Sequence, residues 1–206
     1  MAKIVFYCND TLSNIEAFEY YKQDIDALRA LGHEVVVCNR YRDIPWQFDA
    51  LLVWWWTYAL APVLIARLRG RPAIVTGVFN FHFPPGVEGL DYAHRPWWQR
   101  ALISLATRLC SLNLFLDQHE VDSCARHFQL ANARLYPLVL DNIYLQGPAA
   151  KRELTLFNLA WSSRHNLIRK GVPDLIEAVG ILARQGFPVR LKLAGLDQVQ
   201  IGRAHV

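Results

Sequence analysis

The chain has 206 residues, of which 53% are apolar and 19% charged, and a formal net charge of +4. That composition excludes a disordered chain, and the length suits one large domain or one domain with part of another. Its Lys and Arg are scattered rather than gathered in a stripe, so no nucleic-acid partner is expected; mild basicity suits an anionic small ligand or an anionic membrane surface equally well. Cys8, Cys38, Cys110 and Cys124 form no C-x-x-C pair and no zinc spacing, so they read as buried thiols of a reduced cytoplasmic protein. The apolar run in MAKIVFYCND is too short for a signal peptide, and no stretch reaches the ~18 apolar residues of a membrane span.

Along the chain, β-branched and aromatic runs alternate with helical periodicity. Residues 3–8 form the first expected strand, and the capping-box pattern Ser13-Asn14-Ile15-Glu16 starts a helix that runs to about Leu31 and stops at Gly32. Residues 34–38 and 49–54 are the next strands, 57–69 a helix and 72–76 a strand. The stretch 77–95 shows no periodicity, and an irregular loop of that length in a compact domain usually has a function. A helix over 96–110, a strand over 112–116, a helix over 118–128 and a strand over 134–138 follow. In the first of these helices Trp98, Ala101, Leu102, Leu105 and Leu109 share a face, which reads as the core-facing side. The pair Trp97-Trp98 with Arg100 also suits an interfacial membrane contact.

Residues 141–152 look like a linker. After it comes an apolar strand from Leu154, a polar cationic loop, a helix opening after Lys170-Gly171, and a strand ending at Ala194-Gly195. The expected fold class is therefore α/β: a Rossmann-like, doubly wound parallel sheet over residues 1–140, then an incomplete second Rossmann-like domain over 153–200. The first βα turn, Asn9 to Asn14, lacks G-x-G-x-x-G, which argues against a dinucleotide there. The tail 201–206, IGRAHV, matches one reading frame of a common sequencing adapter and is expected to be non-native.

Basic residues at a strand-to-helix turn of an open α/β sheet stand where such sheets hold anions. The segment around FNLAWSSRHNLIRKGVPDLIEA resembles the donor half of GT-B glycosyltransferases, specifically the family 4 group; ALRALGHEVVV and LYPLVLDNIY are similar to its opening βαβ unit and its approach to the second domain. The glycine pair common in the family's first loop is absent here, and its usual G-R-L reads Trp161-Ser162-Ser163-Arg164. The resemblance implies sugar transfer from a nucleoside diphosphate sugar to a hydroxyl of a saccharide or lipid-linked acceptor, with retention and with no metal or other cofactor. It places residues 1–140 on the acceptor side and 153–200 on the nucleotide-sugar side.

Lys170 would add a point charge beside the N–H groups of a helix N-terminus, and Gly171 would let backbone approach the diphosphate. Arg164 would clamp a second phosphate with a two-pronged guanidinium, while Arg169 reads as a solvated neighbour. Ser162 and Ser163 would either donate hydroxyls to phosphate or satisfy loop backbone. The position of His82 is similar to that of a His near the reacting sugar in the family, and packing among loop aromatics accounts for it equally. Asn80 and Trp56 are acceptor-side candidates; the Trp54-Trp55-Trp56 cluster also suits core packing. His119 and Glu120 stand where the family often has a Ser and a downstream Glu, and helix capping accounts for Glu120 just as well. The family's acidic donor motif would lie beyond residue 206, so the chain alone is expected to have little or no transferase activity. Two other readings remain open: a non-catalytic α/β module that binds an anion or docks an acceptor, and an epimerase or phosphorylase on the same scaffold.

Overall fold

The computed structural model describes residues 1–81, 91–128, 130, 132–137, 154–160 and 164–195. They form two compact units. In the first, β1 (Lys3–Cys8), β2 (Glu34–Cys38), β3 (Ala50–Trp54), β4 (Ala73–Thr76), β5 (Leu112–Phe115) and β6 (Ala133–Leu135) make one parallel sheet in the order β2-β1-β3-β4-β5-β6. The chain leaves β1 toward β2 and returns to β3 on its other side, so the crossover direction reverses between β1 and β3. Crevices outside the carboxyl ends of strands at such a reversal are the usual ligand sites of open α/β sheets.

β1 and β3 read as continuous apolar runs because both their faces are covered. Phe6, Cys8, Leu52 and Trp54 pack with Ile15 of α1 (Leu12–Ala17) and with Tyr21 and Ile25 of α2 (Glu19–Ala30). Val5, Tyr7, Leu51 and Val53 pack on the opposite face, with Val63 and Ala66 of α3 (Leu60–Leu68), Ile103 and Ala106 of α4 (Trp97–Leu109), and Cys124 of α5 (Gln118–Ala125). Each large apolar side chain removed from water in this way contributes about 1.5–3 kcal/mol. The sheet is thus Rossmann-like and doubly wound, as expected.

Three local expectations change. The helix expected from Ser13 to Leu31 is two helices: the true N-cap is Thr11, whose Oγ1 accepts from the N–H of Asn14 at 3.2 Å, and Phe18 is extended (φ −84°, ψ 123°). Phe18 leaves the helical path as its ring stacks on Tyr20, 5.5 Å away, within the aromatic group around Tyr21 and Trp54. The cationic loop before Lys170 contains a helix, α6 (Arg164–Arg169). The third change concerns α4. It buries Ile103, Ala106 and Thr107, and it turns Trp98, Ala101, Leu102 and Leu105 outward. Small side chains let the helix lie close to the sheet, and the bulkier stripe is left on the far side.

In the second unit β7 (Leu154–Leu159) pairs in parallel with β8 (Val189–Ala194), joined through α6 and α7 (Val172–Arg184). One helix over a two-stranded sheet covers only part of its apolar surface, and Phe157, Leu159 and Leu193 are exposed. No helix among the described residues is long and apolar enough to cross a membrane.

Candidate functional site

At the carboxyl edge of the first sheet, β3 ends in Trp54 and the backbone turns through Trp55 at φ 78°, ψ 114°. Positive φ in a bulky aromatic residue is an outlier that surrounding contacts must hold. Here the Trp55 N–H donates to the Thr76 carbonyl at 2.9 Å, and its indole N–H donates to the Tyr21 hydroxyl. The strained turn lies against Gly77 (φ 129°), where a Cβ would come within 3.3 Å of the Trp55 nitrogen. Glycine therefore serves twice at this point, by admitting the φ and by making room for the neighbouring backbone.

The three tryptophans part ways at this turn. Trp54 is buried on the α2 side, and its indole N–H donates to Asp24 Oδ2 at 2.7 Å. Asp24 also accepts from the Tyr136 hydroxyl at 2.8 Å; burial raises its carboxyl above the ordinary range, and those two donors pull it back. Trp56 is buried on the opposite side, stacked on Phe115 at 5.0 Å and edge-on to Phe79 at 5.5 Å. Trp55, between them, faces a cleft of about 170 Å³ that Trp56, Thr57, Phe79, Asn80, Tyr92 and Arg95 also line.

Glu120, which the sequence offers both as a counterpart of the family's downstream Glu and as a cap in the first turn of α5, holds the floor of this region. The cap is Asp117, which accepts from the Glu120 N–H at 2.8 Å. Glu120 is itself only 6% exposed and accepts from the loop beyond β4, Phe79 N–H at 2.7 Å, and from the residue after β5, Leu116 N–H at 3.1 Å. Burial pushes its carboxyl above the ordinary Glu range, against the pull of those two N–H groups. The chain from 79 to 81 is pinned on its other side too. Tyr92 N–H donates to the Asn80 carbonyl at 2.8 Å and Ala93 N–H to that of Phe81 at 3.1 Å. Beside them the buried Asp91 carboxylate lies 2.8 Å from His94 Nδ1, a pair whose sequence signal, an acid three residues before a His, is too common to single out.

Among the sequence candidates on this side, Asn80 and Trp56 come together in the cleft, and His82 lies outside the described residues. In the second unit Ser162 and Ser163 also lie outside them. Arg164 opens α6 and is exposed; Lys170 is exposed just after its last residue. Six residues of helical rise separate their backbones by roughly 9 Å. The Lys170 N–H donates to the Asn166 carbonyl at 2.9 Å and Gly171 N–H to that of Ile168 at 3.0 Å, which closes the end of α6. Gly171 is left-handed (φ 64°) and stands at the N-cap of α7 with no side-chain cap. Asp174 in the first turn and Pro173, which lacks an N–H, reduce what that terminus offers an anion. Among the described residues no group of three or more His, Cys, Asp or Glu could hold a metal ion.

No protein-family model matches this sequence, and no curated protein matches it either. Among solved structures it is similar to Anabaena Alr3699/HepE in complex with UDP and glucose. That match has a TM-score of 0.53 and 14% identity, and covers 96% of this chain and 70% of HepE. The HepE complex with UDP alone matches with a TM-score of 0.55 at 13% identity, over 93% of this chain and 69% of that one. Identity so low shows the fold alone, a GT-B-like fold of Rossmann-type α/β units.

Proposed function

We propose that this chain belongs to a glycosyltransferase of the family 4 kind, which moves a sugar from a nucleoside diphosphate donor to a hydroxyl acceptor with retention. The observation that carries the reading is the turn between α6 and α7, where exposed Lys170 directly precedes a left-handed, side-chain-free Gly171 at a helix N-terminus. Supporting it, the structural neighbour with this fold was crystallised with UDP and glucose. In this reading the second unit binds the donor diphosphate through Lys170 and Arg164, with Gly171 admitting a close approach to the backbone and Ser162 and Ser163 as further donors. Cationic groups beside a departing diphosphate stabilise the charge that develops on it, and no metal or other cofactor is needed for that. The first unit holds the acceptor in the cleft with Asn80 and Trp56, and His82 hydrogen-bonds the reacting sugar. The enzyme works in the cytoplasm, on a cell-envelope or glycolipid acceptor.

Sugar release and transfer from UDP-glucose by the protein expressed from its native locus provides the test. Lys170→Ala and Arg164→Ala should each lower kcat/KM by at least about tenfold, the size of one lost charge-assisted contact. Turnover indifferent to both substitutions would refute the assignment.

A further inference from the structure

The outward face of α4 is more apolar than a solvated helix face has reason to be. Trp97 is 75% exposed and Trp98 49%, and Leu102 and Leu105 follow them at 43% each. At 100° per residue Trp97, Ala101, Leu105, Trp98 and Leu102 fill one arc, opposite the buried Ile103, Ala106 and Thr107. α3 lies beside α4, and Arg67 Nη1 donates to the Leu109 carbonyl at 2.8 Å across their seam. Both helices bury their inner residues in the same core cluster on one side of the sheet, so their outer faces look the same way. Leu64 and the 87% exposed Leu68 of α3 thereby extend the apolar surface.

The charged residues of α3 and α4 all carry one sign. From Ala50 to Phe81 and from Tyr92 to Leu116 the sequence contains no Asp or Glu. Exposed Arg100 lies beside the apolar arc, exposed Arg108 between Trp97 and Ala101 within it, and exposed Arg67 on the neighbouring α3. Exposed Trp and Leu beside Arg, without a carboxylate among them, complement the headgroup region of a bilayer that contains anionic lipid. We infer that the α3–α4 face is a docking surface for an anionic membrane, with Trp97, Trp98, Leu102 and Leu105 entering the interface and Arg100 and Arg108 meeting lipid phosphates. Ile103, on the opposite side of the same helix, lines the cleft, so α4 would stand between the bilayer and that site; the surface itself stands whatever the cleft binds.

The test is partition of the full chain onto vesicles of phosphatidylcholine with and without phosphatidylglycerol, read by co-sedimentation and by quenching of Trp fluorescence with brominated acyl chains. Binding should require the anionic lipid and weaken with salt. Each basic residue near an anionic surface contributes a factor of about five, so Arg100→Ser with Arg108→Ser should lower the partition coefficient about thirtyfold. Trp97→Ser with Trp98→Ser should abolish most of the quenching while thermal stability is unchanged. Three results would overturn the inference: no binding by the wild-type chain, equal binding to neutral vesicles, or concentration-dependent dimerisation that covers Trp97 without lipid.

Discussion

Removing the Glu120 carboxylate should unseat the loop beyond β4 and the exit of β5 at once. It accepts from Phe79 N–H at 2.7 Å in a buried bond and from Leu116 N–H at 3.1 Å in a partly buried one. In Glu120→Ala each orphaned N–H costs about 1–3 kcal/mol, partly offset because a desolvated carboxylate is removed as well, which leaves a net loss of about 2–4 kcal/mol. Glu120→Gln keeps one accepting oxygen and turns its NH2 toward the second N–H, so the loss should be about 1–2 kcal/mol. Urea unfolding at constant m-value measures both. The pH dependence has a defined sign. Burial raises the folded-state carboxyl above its ordinary value, so its contribution to stability is present below the unfolded pKa of about 4.3 and fades as pH rises through the folded value. The wild-type advantage over Glu120→Gln should therefore shrink from about pH 4.5 toward neutrality. A loss below about 0.5 kcal/mol in Glu120→Ala, or a Gln variant less stable than the Ala variant, would refute this account of two satisfied N–H groups.

Two further perturbations have definite outcomes. Gly77→Ala places a Cβ 3.3 Å from the Trp55 nitrogen at φ 129° and should cost about 1–3 kcal/mol in urea unfolding; a neutral substitution would mean that the Trp55 turn is free to move. All four thiols are buried, and burial pushes Cys8 up to about 11 and Cys110 and Cys124 up to about 12. A thiol-specific chromogenic reagent should react with none of them in the native protein at pH 8 and with all four in denaturant; fast native labelling would contradict the packing.

The succession of strands and helices was legible in the sequence because apolar runs of β-branched and aromatic residues alternate with Gly-ended helices at βαβ spacing, and a buried parallel strand needs little beyond that. What escaped was decided by tertiary partners. A 100° periodicity locates an apolar stripe but not which stripe faces inward when a helix carries two; on α4 the small side chains won the sheet. Ser13 and Glu16 make a capping-box pattern, yet Thr11 caps the helix, and Phe18 broke it where its ring stacks on Tyr20, which in turn meets Trp54 from a distant strand. Glu120 could not be told from a cap because its two acceptor bonds reach Phe79 and Leu116. The Trp55 turn had a local signature, three successive tryptophans entering a loop, but its meaning depended on Gly77, twenty-two residues away. In the second unit Lys170-Gly171 marked the helix start correctly, whereas the polar stretch before it hid α6.

The central claim, that the turn from Arg164 through Gly171 into α7 binds a nucleoside diphosphate, is tested most directly by amide hydrogen exchange with and without UDP. Protection should rise over residues 164–175, be competed by inorganic diphosphate and disappear in Lys170→Ala. UDP that leaves those amides unchanged, or protects only the cleft around Trp55 and Asn80, would contradict it.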